Sequence, residues 1–248
     1  MSGCDSETGH RIAGIILART DSSRLPGKIL ADVAGRPVLW YLARRLTSEM
    51  LGGRAILATS DRPVDDSLAE HAASLGLDVF RGEAHDVAGR LLAAARHFGC
   101  DAAYRINGDS PFIMPDLLLR ARRAFADRRI RLVTNLRPRS YPYGVSVELF
   151  TTEALEDCLA RTTDPSDREH VTASLYRHLP VDAVTNLPYE TDRHDPRIGQ
   201  LRLTIDTPRD LEDFRSFIAA SSKPWPAVTL EDALSSSVYG ASDSQEDK

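Results

Sequence analysis

Nothing in this sequence approaches ~20 consecutive apolar residues, so no segment is long enough to read as a helical membrane span. Cysteine is scarce: Cys4, Cys100 and Cys158 show neither a metal-ligand spacing nor a disulfide pattern. Reduced thiols, and with them a cytoplasmic location, are the plain expectation. There is no excess of positive charge. The formal net charge is -5, which argues against attraction to nucleic acid or to an anionic membrane as a whole, although a local basic cleft remains compatible with it. The opening MSGCDSETGH is polar and lacks the apolar core of a signal peptide. No HExxH, no Cys/His cluster and no evident Ser-His-Asp order is present, which sets zinc and serine-hydrolase chemistry aside. Internal repeats and long low-complexity linkers are also missing.

What is present is alternation. IAGIIL (12–17) reads as a buried strand, and a helix opens at Arg36-Pro37 with Leu39, Leu42, Leu46 and Met50 on one face. RAILAT (54–59) is a second strand. Ser60 or Asp61 then caps a helix that has Pro63 in its first turn and Gly76 beyond its end. LDVF (77–80) is a strand, residues 86–98 an amphipathic helix, and DAAYRI (101–106) a strand that empties into NGDSP. A helix follows near Pro115, then strands near 130–134 and 143–149 and helices near 151–161 and 167–178. LRLTID (201–206) reads as a late strand, and Thr207, Pro208 and Asp210 form a helix start with a capping box. Repeated strand–helix units predict an α/β fold: a mostly parallel sheet with helices on both faces. The boundaries expected are a disordered 1–10, one domain over 11–234 with an acceptor or dimer sub-region at 135–200, and a disordered polar tail at 235–248.

In such sheets ligands bind at the carboxyl ends of the strands. The stretch ARTDSSRLPGK (18–28) falls there, with Arg19, Arg24 and Lys28 beside Ser22, Ser23 and Gly27. Cations next to small residues and exposed amides suit phosphate groups. The spacing is neither GxxxxGK[ST] nor GxGxxG, and a solvated loop with scattered charge is the alternative. Asp109 in RINGDSP and Asp206 in LTIDTP each close a strand and are placed for a divalent cation; a turn role for Asp109 and a cap role for Asp206 stand beside that. Arg137, Arg139, Tyr141, Tyr143 and Glu148 lie in NLRPRSYPYGVSVELF, where cations and phenols suit an anionic acceptor. Arg168, Glu169 and His170 sit at a helix start, with His170 a candidate base or acceptor contact and a structural role its alternative.

At these residues the chain resembles the acid-sugar cytidylyltransferases, the Kdo and acylneuraminate enzymes, and most closely the SpsF-like polysaccharide-biosynthesis branch. ARTDSSRLPGK is similar to their ARxxSxRLPGK signature. ILATSDRPVDD, VFRGEAHDVAGR, YRINGDSPFI, YPYGVSVELF, REHVT and LRLTIDTPRDL follow the family's other segments in order. The resemblance implies a three-layer, Rossmann-like nucleotide-diphospho-sugar transferase fold, usually dimeric. It implies transfer of CMP from CTP to a sugar acid with Mg²⁺ and release of pyrophosphate. By position, Arg19, Arg24 and Lys28 would grip triphosphate, and Asp109 and Asp206 would ligate metal. Leu17, Ala18, Asn107 and Gly108 would border the nucleotide, with Ala58, Thr59 and Ser60 near the base. Arg137, Arg139, Tyr141, Tyr143, Glu148, Arg168 and His170 would face the acceptor.

Tyr143 and Ser146 stand where the family pattern has aspartates, so the acceptor loop has lost two carboxylates and kept its cations. That keeps a small phosphonate or phosphorylated acceptor open beside a sugar acid. A sugar-phosphate nucleotidyltransferase and a catalytically inactive nucleotide-binding protein on the same fold rank behind these readings.

Overall fold

The computed structural model describes residues 8–22, 24–47, 54–189, 198–199 and 201–239. A seven-stranded sheet runs through it. Its strands are β1 (Ile12–Leu17), β4 (Arg54–Ser60), β5 (Asp78–Gly82), β6 (Ala102–Asn107), β7 (Leu132–Thr134), β8 (Glu148–Thr151) and β9 (Val184–Asn186). The two-residue strands β2 (Asp32–Val33) and β3 (Arg36–Pro37) pair separately as a small antiparallel ribbon. The sheet order is β5-β4-β1-β6-β8-β7-β9. The pairs β5–β4, β4–β1, β1–β6 and β7–β9 are parallel, while β8 runs antiparallel to both β6 and β7.

Side chains of successive strand residues point to opposite faces, and each face has its own core. Ile16, Leu57, Tyr104, Ile106 and Leu149 pack under α1 (Val38–Leu46), α2 (Asp66–Ser74), α4 (Pro115–Ala124), α8 (Pro208–Ala220) and α9 (Leu230–Leu234). Ile15, Ile56, Ala58, Ala103 and Phe150 pack under α3 (Val87–His97), α5 (Thr152–Arg161) and α7 (Ala173–His178). The short helix α6 (Ser166–Glu169) lies against α3. This is the three-layer, Rossmann-like arrangement with a mostly parallel mixed sheet. The capping box expected at Thr207 and Asp210 is formed, and at the start of α3 Asp86 accepts from the Gly89 amide at 2.7 Å.

Several boundaries differ from expectation, each for a local reason. Neither Ser60 nor Asp61 caps α2. Ser60 ends β4 and gives its hydroxyl to Asp65, and a 3-10 turn at Pro63–Asp65 leads into the helix. The strand expected at 143–149 begins only at Glu148. Before it, the Asn135 amide takes the place of a neighbouring strand, donating to the Val145 carbonyl (3.0 Å) and accepting from the Val147 amide (2.9 Å). The helix expected at 167–178 breaks between α6 and α7, where Val171 turns into the core.

LRLTID is extended but lies outside the sheet. Its backbone bonds go to loops, from the Tyr143 amide to Leu201, from the Leu203 amide to Tyr143 and from the Ile205 amide to Asp109. Residues 235–239, expected in a disordered tail, fold back because Val238 and Tyr239 are apolar; the Tyr239 ring sits 5.5 Å from that of Phe112. At the other end Thr8 is buried and His10 packs on Phe125, although disorder was expected through residue 10. Cys100 and Cys158 are buried free thiols. Cys4, Ser23 and Met50 lie outside the described residues.

Candidate active site

A cavity of about 420 Å³ opens at the carboxyl ends of β1 and β6. Leu17, Ala18, Arg19, Ser22, Arg24, Lys28, Arg105, Asn107, Gly108, Asp109 and Tyr143 contribute to its lining. The cationic loop reaches it because it is moored at both ends. The Thr20 amide and hydroxyl both donate to Asp65 Oδ1 (2.7 Å each), and the Gly27 amide closes back on the Thr20 carbonyl (2.7 Å). Gly27 has φ +72°, a left-handed conformation that glycine adopts without strain, and this turns the chain so that Lys28 enters a 3-10 turn pointing inward. Asp65 is fully buried. Burial pushes its carboxyl up, but Ser60 and Thr20 outweigh that and hold it below its ordinary value.

Gly108 fixes the other wall. Its amide donates to the Leu17 carbonyl at 3.0 Å, and a Cβ there would lie 2.7 Å from that of Ala18. Only glycine lets the β6 turn close on the end of β1 and present Asp109 to the cavity.

Two carboxylates far apart in sequence then meet one ammonium. Lys28 Nζ lies 3.0 Å from Asp206 Oδ1 and 3.5 Å from Asp109 Oδ2, and it donates to the Ile205 carbonyl at 2.6 Å. Arg24 Nη2 reaches the same Asp206 oxygen at 2.9 Å. Burial raises the Asp206 carboxyl, yet Lys28 and Arg24 together hold it below its ordinary value. The ammonium marks the point where a cation is held between both carboxylates. Two carboxylates without a third His, Cys, Asp or Glu suit Mg²⁺, which completes its shell with water and substrate phosphates; they do not make a cage that holds a metal unaided. Among the described residues no cluster of three such ligands occurs.

Other expected residues divide. Arg19 lines the cavity, donates to the Ala84 carbonyl at 3.0 Å and stands 3.5 Å from Asp21. Ala58, Thr59 and Ser60 are fully buried in β4 and do not reach the cavity. Tyr143 does reach it, half-exposed, with the guanidinium of Arg202 at 4.4 Å and that of Arg139 at 5.3 Å from its ring. Arg137 stacks on Tyr176 at 4.0 Å, away from the lining.

Tyr141 is buried, accepts from Arg120 at 3.0 Å and packs against Tyr189, so its role is in the core. Glu148 is buried beneath the cavity in an ion pair with Arg105. Arg168 pairs with Asp86 at 3.0 Å, tying α6 to the start of α3, and His170 is exposed and outside the lining. Arg105, Val87 and Val171, which were not among the expected site residues, also line the cavity, as does Glu169 beside Arg168. Alternation along β6 carried the signal for Arg105: it shares a face with Asn107.

A family model described as cytidylyltransferase matches residues 13–231. The chain belongs to the cytidylyltransferase family. Spore coat polysaccharide biosynthesis protein SpsF of Bacillus subtilis is 30% identical over 208 residues, which is 82% of this chain and 84% of that protein. The 3-deoxy-manno-octulosonate cytidylyltransferase of Oleidesulfovibrio alaskensis is 28% identical over 207 residues, covering 77% and 82%. Among solved structures, a cytidylyltransferase from Leptospira borgpetersenii superposes with a TM-score of 0.79 at 30% identity, covering 87% of this chain and 89% of that one. CMP:2-keto-3-deoxy-manno-octonic acid synthetase complexed with CTP superposes at 0.61 and 18% identity, covering 84% and 98%, a likeness of fold alone. Among the described residues no helix is long and apolar enough to cross a membrane.

Proposed function

We propose that this family member moves CMP from CTP to a small anionic acceptor of the sugar-acid type and releases pyrophosphate, with Mg²⁺ as cofactor. The observation that carries the reading is the meeting of Lys28 with Asp109 and Asp206 at the mouth of the cationic loop. An oxygen of the acceptor bonds to the α-phosphorus as the α–β phosphoanhydride bond breaks in line, pyrophosphate leaves, and a hydroxyl acceptor gives up its proton to water in the open cavity. The work of this chain is to position and to neutralise.

Lys28 and Arg24 exchange Asp206 for triphosphate oxygens, and Arg19 adds a third cation from the same loop. Asp109 and Asp206, released from Lys28, are the residues that would hold the metal. Bound there, a divalent ion supplies charge neutralisation to the phosphates. The Gly108 turn closes on Leu17 and Ala18 in the cavity wall. A homodimer and a cytoplasmic location belong to the same proposal.

A second acceptor class, small phosphonic acids, is favoured by one feature. Tyr143 occupies a position where the family pattern has a carboxylate, and it is flanked by Arg139 and Arg202. A phosphonate oxygen is already anionic and needs no base, which suits a cavity in which His170 is not part of the lining. Pyrophosphate release, followed with each of the four nucleoside triphosphates and a panel of sugar acids, phosphonates and sugar phosphates with and without Mg²⁺, tests the reading. CTP-dependent turnover of an acid acceptor is expected. Binding of CTP without turnover of any acceptor would leave a nucleotide-binding protein instead.

A further inference from the structure

Arg105 is the cavity-lining cation that the triphosphate reading leaves without a task. The β6–β8 ladder pairs Ala102 with Thr151, Ala103 with Phe150 and Tyr104 with Leu149, so the next pair sets Arg105 opposite Glu148. There the ladder ends. Arg105 Nη1 pairs with Glu148 Oε2, and Glu148 is only 2% exposed. Glu148 Oε1 accepts from the Tyr176 hydroxyl at 2.7 Å, and that hydroxyl also meets Thr134 Oγ1 at 2.7 Å. Burial, reinforced by the Glu148 charge, raises the Tyr176 phenol far above its ordinary value and keeps it a donor. With both oxygens engaged beneath the cavity, Glu148 acts as an anchor and not as a base.

The guanidinium it anchors is not used up. Arginine carries five N–H donors, and the buried Nε of Arg105 has no partner. That Nε is closed off from solvent, so what a ligand in the polar cavity can reach is the guanidinium edge beyond the Nη1 bond to Glu148. The side chain is also 24% exposed and borders the cavity beside Asn107.

Its position separates it from the triphosphate cations. Arg105 shares a strand face with Ala103, on the side of the sheet covered by α3, α5 and α7. The cavity draws its wall from both cores, Val87 and Val171 from that one and Ile29, beside Lys28, from the opposite one. Transfer from a nucleotide to an acid needs a cation for each of two anionic partners. The loop cations also differ in kind: Lys28 and Arg24 face a carboxylate assigned here to metal, whereas the partner of Arg105 is not in the cavity lining.

Resting on the cytidylyltransferase reading, we propose that Arg105 binds the acidic group of the acceptor, and that Glu148 and Tyr176 are positioning residues that fix its guanidinium. The acceptor class this selects is a small carboxylate or phosphonate whose acid group lies across the strand ends from the triphosphate. A neutral sugar would leave the guanidinium unmatched.

The test uses the full chain and initial rates of pyrophosphate release, with 3-deoxy-manno-octulosonate and methylphosphonate as acceptor probes and CTP binding followed by calorimetry. Arg105→Ala is expected to raise the acceptor KM about 10- to 100-fold, the loss of one charge-assisted hydrogen bond, with CTP affinity within about twofold of wild type. Arg105→Lys keeps the charge and the Glu148 pair but not the planar fork, and is expected to recover part of that loss. Glu148→Gln is expected to raise the acceptor KM by a smaller factor in the same direction. Should Arg105→Ala fail to fold in thermal unfolding, the lysine variant carries the comparison. An unchanged acceptor KM, or an equal rise for CTP and acceptor, overturns the assignment. A wild type that turns over neither probe with any nucleotide overturns the proposed function and this inference with it, whereas an active wild type with indifferent variants overturns this inference alone.

Discussion

Replacing Lys28 by methionine, Lys28→Met, should move three quantities, two of them in opposite directions. The Lys28 side chain is 11% exposed, and its ammonium lies 3.0 Å from Asp206 and 3.5 Å from Asp109. Removing one partner of a buried ion pair costs about 3–5 kcal/mol. Two features reduce that here. Asp206 keeps Arg24 at 2.9 Å, and Asp109 is 30% exposed and regains water. A loss of about 2–3 kcal/mol follows, or roughly 5–10 °C in Tm for a chain of this size.

The ligand effects separate. The ammonium competes with a divalent cation for the same carboxylate oxygens, so Mn²⁺, used as a spectroscopic probe without nucleotide, should bind about tenfold tighter to the variant, for about 1.4 kcal/mol of released competition. CTP should bind about 10- to 100-fold more weakly for want of a phosphate contact. Mn²⁺ titration by electron paramagnetic resonance and CTP titration by calorimetry read the two. Weaker Mn²⁺ binding in Lys28→Met would refute the idea that lysine and metal share one seat.

Three further outcomes are expected. Asp109→Ala should abolish turnover while leaving the thermal unfolding midpoint within a few degrees of wild type, because Asp109 is part-exposed and its main-chain bond to Ile205 survives the change; near-wild-type rates would remove it from the reaction. Gly108→Ala forces a Cβ to 2.7 Å from that of Ala18 and 3.0 Å from the Leu17 carbonyl, so a cost of about 1–3 kcal/mol is expected in urea unfolding together with a loss of CTP affinity. The Asp206 carboxyl is held below its ordinary value, so its contribution to stability is present above about pH 4 and is lost as pH falls through and below that value; the urea midpoint of Asp206→Asn should fall less than that of wild type between about pH 5 and pH 3.

The order of strands and helices could be read from short continuous apolar runs set between helically spaced segments, because β1, β4 and β6 are buried on both faces and each is bounded by turn residues. The cationic loop and Asp109 were readable because strand ends in a parallel sheet converge; Asp206 was placed on the same ground, although the segment it closes lies outside the sheet. Failures came where side chains replace backbone partners. Asn135 mimics a strand beside Val145 and Val147, and no periodicity reports that. Leu201–Asp206 has the alternation of a strand, since Leu203 and Ile205 are buried, yet its hydrogen bonds go to loops. The acceptor residues were the least legible. Tyr141 and Glu148 are drawn from a polar loop into buried contacts, while Arg105 sits inside a strand where a lone arginine looks like an edge charge.

The bond from Gly27 to Thr20, with Thr20 tethered to Asp65, has a practical meaning for anyone wishing to alter nucleotide choice. The chain between those two posts behaves as a replaceable cassette. Its two ends are held by bonds outside the stretch, so exchanges at Ser22 leave both posts in place. Arg24, which spans to Asp206, Leu25, which packs on the core and accepts from the Lys28 amide, and Asp21, paired with Arg62, limit how the insert is cut.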